Sequence, residues 1–251
     1  MSGRGGALVT GAGRRIGRAL ALEAARAGFD VAVHFKMSRT EAEEVVGEIT
    51  ALGRRAAALQ ADLADEVQAR ALAAEASGAV GPLTLLVNNA SMFEDDRAGA
   101  LERASWTLHM ETNLRAPVVL AEAFAERLPA DAQGLVVNLL DQRVFKPNPQ
   151  FFSYSLSKHA LWAATRMLAQ ALAPRIRVNG IGPGPTLPST HQTQAEFDAE
   201  AASTPLQRRA TPDDIAQALR YLIDAPAVTG QMIAVDGGQH LAWRTPDIVG
   251  D

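Results

Sequence analysis

Short apolar runs rich in β-branched residues alternate along this chain with longer alanine-rich stretches of helical period, and that alternation leaves few folds open. Seven runs read as strands: Ala7–Thr10, Asp30–Phe35, Ala56–Gln60, Thr84–Val87, Leu135–Leu139, Arg175–Ile181 and Met232–Val235. Helical patterns lie between them at Arg15–Ala27, Thr40–Leu52, Ala64–Ala76, Leu101–Leu128, Phe152–Leu172 and Thr211–Ile223, the fourth open to a break near Ala116-Pro117. Strands joined through helices run parallel, because the crossover returns the chain to the same edge. The strands are almost wholly apolar, as strands covered on both faces must be. The expected fold is therefore α/β: a doubly wound, seven-stranded parallel sheet with helices on both faces, built as one domain over residues 1–251.

Local punctuation agrees. Thr211-Pro212-Asp213-Asp214 reads as a capped helix start with proline in the first turn. Gly28 and Gly53 stand where helices would close. The longest irregular stretch is Gly182–Gln194. A long loop after a late strand in such a sheet is a candidate cover for the ligand crevice, and residues 182–210 are expected to form the substrate-loop region. A plain surface loop is the alternative.

Composition removes whole classes. With no cysteine there is no disulfide, thiolate metal site or thiol nucleophile. His109, His159, His191 and His240 lack metal-ligand spacing and read as surface or packing residues; no metal is expected. Twenty-four basic against 28 acidic side chains gives a net charge of −4, the wrong sign for a nucleic-acid binder. The apolar run after Gly6 is too short for a signal segment, and no stretch approaches the ~18–20 apolar residues of a membrane span. The chain is thus expected in the cytoplasm, acting on a small molecule. Acid pairs such as Asp95-Asp96 and Asp213-Asp214 read as solvated or helix-capping.

The first strand runs into Thr10-Gly11-Ala12-Gly13-Arg14-Arg15-Ile16-Gly17, which opens a helix. Gly11 allows the tight turn, Gly17 lets the helix approach the sheet, and the helix N-terminus offers free N–H groups to a pyrophosphate. Position gives this pattern its weight: it sits at the first strand–helix junction, where a Rossmann-type dinucleotide site begins. An NAD site would place an acid at the end of the second strand, ~20 residues past the first glycine. That place reads His34-Phe35-Lys36-Met37-Ser38-Arg39. Lys36, Ser38 and Arg14, with His34 or Arg39, are the candidates to surround a 2′-phosphate, which favours NADPH.

Tyr154-Ser155-Leu156-Ser157-Lys158 opens a later helix, so Tyr154 and Lys158 share one face. A nearby ammonium favours phenolate, and the pairing predicts a tyrosine pKa below its usual ~10. These parts, with Asn88-Asn89-Ala90, Asn113, Asp62-Leu63, Arg177-Val178-Asn179, Pro183-Gly184 and Asp236-Gly237-Gly238, resemble the short-chain dehydrogenase/reductase family from Thr10 to Gly238. The resemblance implies that Asp62 and Leu63 contact the adenine. It sets Ile16, Asn89, Ala90 and Ser91 along the cofactor and Lys158 on the nicotinamide ribose. Asn113 would anchor a proton-relay water, and Pro183, Gly184 and Thr186 would border the nicotinamide. It also implies a homotetramer through the helices of 101–128 and 152–172.

Two departures narrow the resemblance. The family usually has glycine where Arg15 stands, and serine thirteen residues before the tyrosine, where this chain has Asp141. Both are similar to the pteridine reductase branch, as are Asn88-Asn89-Ala90-Ser91-Met92-Phe93 and the His34 to Ser38 spacing. That branch carries arginine where Met37 stands, so Lys36 or Arg39 is expected to substitute. The chemistry fits the exchange: serine steadies a carbonyl oxygen gaining charge, whereas a pterin C=N takes hydride at carbon and a proton at nitrogen. Asp141, its pKa raised by burial, would feed that proton to Tyr154. Phe93 would sandwich the flat ring, Ser91 would bond its amide-like edge, and Arg15 would reach its face or carbonyl.

The expected activity is NADPH-dependent reduction of a dihydropterin or folate. The alternative is a carbonyl reductase of the same fold, acting on a ketone or 3-oxoacyl thioester; Asp141 opposes it, because a carboxylate repels a developing oxyanion. An enoyl reductase would show Tyr-x6-Lys. A remoter reading is a non-catalytic NADP-binding sensor, which Tyr154, Lys158 and Asn113 oppose.

Overall fold

A computed structural model describes residues 4–188 and 192–243. Residues 189–191, which include His191 and part of the expected irregular loop, lie outside the described residues. The strands are β1 (Gly6–Val9), β2 (Asp30–Phe35), β3 (Ala56–Gln60), β4 (Leu83–Asn88), β5 (Gly134–Leu139), β6 (Ile176–Pro183) and β7 (Met232–Val235). They form one sheet in the order β3-β2-β1-β4-β5-β6-β7, and every pairing is parallel. The helices are α1 (Arg15–Arg26), α2 (Arg39–Ala51), α3 (Glu66–Val80), α4 (Arg103–Met110), α5 (Ala116–Arg127), α6 (Phe152–Ala171), α7 (Gln194–Ala202) and α8 (Pro212–Asp224).

Side chains alternate across the strands, so each face of the sheet has its own core. Ala7 and Val9 of β1 join α1, α2 and α8 on one face; Leu8 joins α3, α5 and the end of α6 on the other. Small residues let these helices lie close: α1 buries Ala19, Ala21, Ala24 and Ala25. Among the described residues no helix is long and apolar enough to cross a membrane.

Three local differences from the sequence reading have physical causes. Residues 101–128 do not break at Ala116-Pro117. Pro117 removes one backbone donor, but a π-helical turn over Glu111–Arg115, closed by the Ala116 N–H on the Glu111 carbonyl, accommodates it and carries α4 into α5. α3 runs on to Val80 and starts later, because Asp65 accepts from the Val67 and Gln68 N–H groups and caps it. α7 stands inside the expected loop region, opened by a capping box between Thr193 and Glu196. The cap read at Thr211 is present, completed by Asp214.

Strand order reverses between β1 and β4. Ligands bind such sheets outside the carboxyl ends of the strands at that reversal. The glycine turn follows β1, Asn89 follows β4, Asp141 follows β5 and Gly184 follows β6, so the candidate residues gather at one edge.

Candidate active site

The glycine turn is held from both sides. Thr10 Oγ1 accepts from the Asn89 and Ala90 N–H groups at 2.9 and 3.0 Å, and Asn89 Nδ2 donates to the Thr10 and Gly11 carbonyls at 2.8 and 3.1 Å. Gly11 takes φ +61°. A Cβ on Gly17 would stand 2.1 Å from the Gly11 oxygen, closer than any real contact, so only glycine lets α1 begin there. Arg15 takes φ +56°, a conformation glycine would hold without strain.

His34 corrects the first expectation. It is buried, and its Nδ1 accepts from the Gly11 N–H at 3.1 Å while Nε2 donates to the Ala61 carbonyl at 3.1 Å. Burial lowers its pKa to about 4. A neutral imidazole with both nitrogens engaged offers nothing to a phosphate; it braces the glycine turn instead. Lys36 lies 2.8 Å from Asp62, whose pKa it lowers. Arg39 bonds Gln60 at 3.1 Å and packs over Phe35. Arg14 is exposed beside the turn and forms no ion pair with a described carboxylate, while the Ser38 oxygen lies against Gly13. Leu63 is buried next to Asp62.

At the carboxyl ends of β4, β5 and β6 a cleft of about 830 Å³ opens. Arg15, Ile16, Asn89, Ser91, Phe93, Asp141, Tyr154, Lys158, Pro183, Gly184 and Thr186 all line it. Gly184 is required, since a Cβ there would meet Asp236 at 2.5 Å. Arg14, Lys36, Ser38 and Asp62 lie off its wall, toward β2 and β3. Arg15 crosses the mouth and donates to the Leu187 and Pro188 carbonyls at 3.3 and 3.0 Å, tying the glycine turn to the loop after β6.

Tyr154 donates its phenolic proton to Asp141 Oδ2 at 2.8 Å. The other carboxylate oxygen accepts from the Arg143 N–H at 2.8 Å. Lys158 Nζ donates to the Leu139 carbonyl at 2.8 Å and sits 5.7 Å from the Tyr154 ring centre. The electrostatics reverse the second expectation. Burial, then the charge of Asp141, push Tyr154 well above the usual tyrosine value, so the phenol holds its proton. Burial brings Lys158 down to about 8, against an opposing pull from Asp141.

Asn113 is held through its side chain. Buried in the π turn, its Oδ1 accepts from the Met92 N–H at 2.8 Å and from Ser91 Oγ at 3.2 Å. Its Nδ2 donates to the Met92 carbonyl at 2.9 Å and to Ser157 Oγ at 3.2 Å. All four hydrogen-bonding positions of the amide are filled, so the side chain clamps the strap after β4 to α6.

Two residues escaped the sequence reading. Phe151 stacks on Phe93 with centroids 4.1 Å apart, and Phe93 stands edge-on to Tyr154 at 4.7 Å. Arg143 lies beside both phenyl rings and 3.4 Å from Asp141. Neither carries a spacing signal; only the folding of the turn after β5 brings them in.

The model of the short chain dehydrogenase family matches residues 6–200. The structure resembles that of FolM alternative dihydrofolate reductase 1 from Brucella canis, complexed with NADP. The TM-score is 0.93 at 53% identity, over 97% of this chain and 96% of that one. A short chain dehydrogenase from Burkholderia cenocepacia in complex with NADP has a TM-score of 0.88 at 33% identity, over 94% and 98%. The 3-oxoacyl-acyl-carrier-protein reductase FabG of Staphylococcus aureus is 33% identical over 94% of this chain and 98% of its own length.

Proposed function

The chain belongs to the short chain dehydrogenase family, and from that premise we propose that it is an NADPH-dependent reductase of the C=N bond of a dihydropterin or related folate. The observation that carries the reading is Asp141, 2.8 Å from the Tyr154 hydroxyl, where the family usually has serine. Relatives at about half identity support it as dihydrofolate reductases, while the carbonyl-type relative stands at 33%.

The residues present fit a dinucleotide. Gly11 and Gly17 leave the N-terminus of α1 open to a pyrophosphate. Arg14 and Ser38 are the residues we assign to the 2′-phosphate, since Lys36 and Arg39 already have partners. Asp62, Leu63, Asn89, Ala90 and Ser91 would follow the adenine and ribose side, and Ile16, Pro183, Gly184 and Thr186 the nicotinamide side. NADPH bound there supplies the hydride that the chain itself lacks.

The proton comes from the chain. Tyr154, held protonated, hands its Oη proton to the ring nitrogen as the neighbouring carbon gains hydride. One C=N becomes CH–NH, with one hydride and one proton taken up. The phenolate then recovers a proton through Asp141, its hydrogen-bond partner, which exchanges with solvent at the cleft. Lys158, still cationic below about pH 8, offsets the negative charge passing between Asp141 and Tyr154 and would hold the ribose hydroxyls. Phe93 and Ser91 would hold the pterin ring, and Arg15 would close the mouth.

The test is oxidation of NADPH by the purified protein with a panel of dihydropterins, dihydrofolate, ketones and 3-oxoacyl thioesters. Pterin or folate turnover is expected. Ketone turnover with none of any pterin would refute the reading; cofactor binding with no turnover at all would leave a sensor. A homotetramer accords with Leu156 and Met167, both exposed on α6, and sedimentation velocity tests it.

A further inference from the structure

His109 is fully buried on α4 and belongs to neither the cleft wall nor the proton path. Its Nε2 accepts from the Glu94 N–H at 3.0 Å. A neutral imidazole must then carry its proton on Nδ1, which donates to Ser153 Oγ at 2.6 Å. Ser153 Oγ in turn donates to Asp96 Oδ2, and the Ser153 N–H donates to Asp96 Oδ1 at 2.9 Å. Asp96, expected from sequence to be solvated or capping, is buried. It reaches from the strap to the first turn of α6, where a carboxylate answers unpaired N–H groups that the Phe151 side chain does not cap.

The direction of every link is therefore fixed, and both ends are informative. One end is the residue after Phe93; the other is the residue before Tyr154. We infer that His109 is a positioning residue of the reaction: it ties the strap carrying Phe93 to the helix turn carrying Tyr154, so that stacking ring and proton donor keep one spacing. The rings already meet edge-on at 4.7 Å, and the imidazole stands edge-on behind Tyr154 at 6.1 Å. When His109 is removed Asp96 still ties its own part of the strap to the Ser153 backbone, so what is freed is the segment at Glu94 next to Phe93, and the effect falls on substrate binding rather than on proton delivery.

Neutrality is part of the device. Asp96 and Glu94 from the strap favour the imidazolium, while burial and Lys158 of α6 oppose it, with burial the largest; the result is a lowered pKa. A proton on Nε2 would point at the Glu94 N–H and release the strap.

The inference rests on the assignment of Phe93 and Tyr154 given above, and its test separates the two. His109→Leu removes both links; His109→Gln offers an amide oxygen to Glu94 and an amide N–H to Ser153. With a dihydropterin, His109→Leu should raise KM roughly tenfold or more, as loss of a buried hydrogen bond does, with kcat and NADPH affinity within about twofold. His109→Gln should recover most of the loss. Deuterium exchange of the peptide 92–97 should quicken in His109→Leu and not in His109→Gln, a readout that needs no turnover. Should the protein reduce no pterin, the assigned substrate fails while the exchange result still judges His109. Unchanged exchange overturns the inference. So does a lowered Tm with unaltered KM, the mark of a merely structural histidine. Should His109→Leu not fold, Ser153→Ala cuts the same link from the α6 side and must give the same rise in KM and the same faster exchange; unchanged values there overturn it equally.

Discussion

Asp141→Asn replaces a carboxylate with a group of the same shape and is the most incisive test of the proton path. Asp141 accepts from the Arg143 N–H and from Tyr154 Oη, each at 2.8 Å, and from the Arg143 guanidinium at 3.4 Å. An asparagine has one acceptor oxygen, so one of these bonds must be lost or opposed by an amide N–H. Hydrogen bonds to a charged partner contribute about 1.5–3 kcal/mol, which places the loss in kcat at roughly ten- to 150-fold. The charge acts as well. Asp141 is among the causes that raise Tyr154 and is the one that opposes the fall of Lys158 to about 8. Without it Lys158 deprotonates at lower pH, and the alkaline limb of kcat moves downward. The assay is steady-state reduction of a dihydropterin across pH 6 to 9, with NADPH affinity measured by fluorescence. The affinity should stay within about twofold, because Asp141 lies apart from the glycine turn. A kcat within about threefold of the parent, with the alkaline limb unmoved, would refute the relay. Asp141→Ser should depress pterin turnover too and raise the ratio of ketone to pterin reduction, since the repulsive carboxylate is gone.

Other expectations follow from single contacts. Arg14→Ala should raise the KM for NADPH at least about tenfold and leave that for NADH unchanged, as removal of a charge-assisted phosphate contact does; Lys36→Ala should do much less, because Lys36 already pairs with Asp62. Gly17→Ala must push α1 off the Gly11 carbonyl, 2.1 Å from the new Cβ; NADPH binding by calorimetry should be abolished, or the chain should fail to fold. His34 is neutral in the folded state with a pKa of about 4, against 6.5 when unfolded. The unfolded chain therefore binds the extra proton between those values, and stability, complete above about pH 6.5, falls as pH drops toward 4, by a total of about 3 kcal/mol. Urea midpoints across that window should show the loss, and His34→Asn should flatten it.

The fold was legible because its elements are long relative to their periods. Strands buried on both faces read as continuous apolar runs, and alanine-rich helices announce themselves at i, i+3 and i+4. α7 was overlooked because it buries only Phe197 and Ala201, a stripe too narrow to show a period. Its capping box, Thr193 with Glu196, was the available signal. The π turn at 111–115 left no trace because it continues the helical pattern. In the site, Tyr154 and Lys158 were visible as an i, i+4 pair, and Asp141 only through the resemblance to the pteridine reductase branch. His34 was placed correctly along the chain and wrongly in space. Its neighbour Phe35 belongs to the core face with α1 and α2, while His34 shares the opposite face with Ala32, under α3, where no phosphate can reach. Period two held that answer. Arg143, Phe151 and His109 are joined to the site by turns and helix packing, which one-dimensional spacing does not encode.

The reversed tyrosine shift bears on the direction of the chemistry. A phenol lowered by its lysine would be poised as a base, suited to drawing a proton from an alcohol. Here Lys158 instead bonds the Leu139 carbonyl, and burial together with Asp141 holds the proton on Tyr154. Such a group is an acid at neutral pH and works in the reducing direction. The same carboxylate discriminates between acceptors. A carbonyl becomes an oxyanion before it is protonated, and that charge would develop beside the Asp141 carboxylate. An imine nitrogen that takes its proton as the neighbouring carbon gains hydride never exposes a full negative charge. Asp141 therefore penalises the carbonyl path and leaves the imine path open. One residue thus both retains the proton on Tyr154 and selects the bond that can use it.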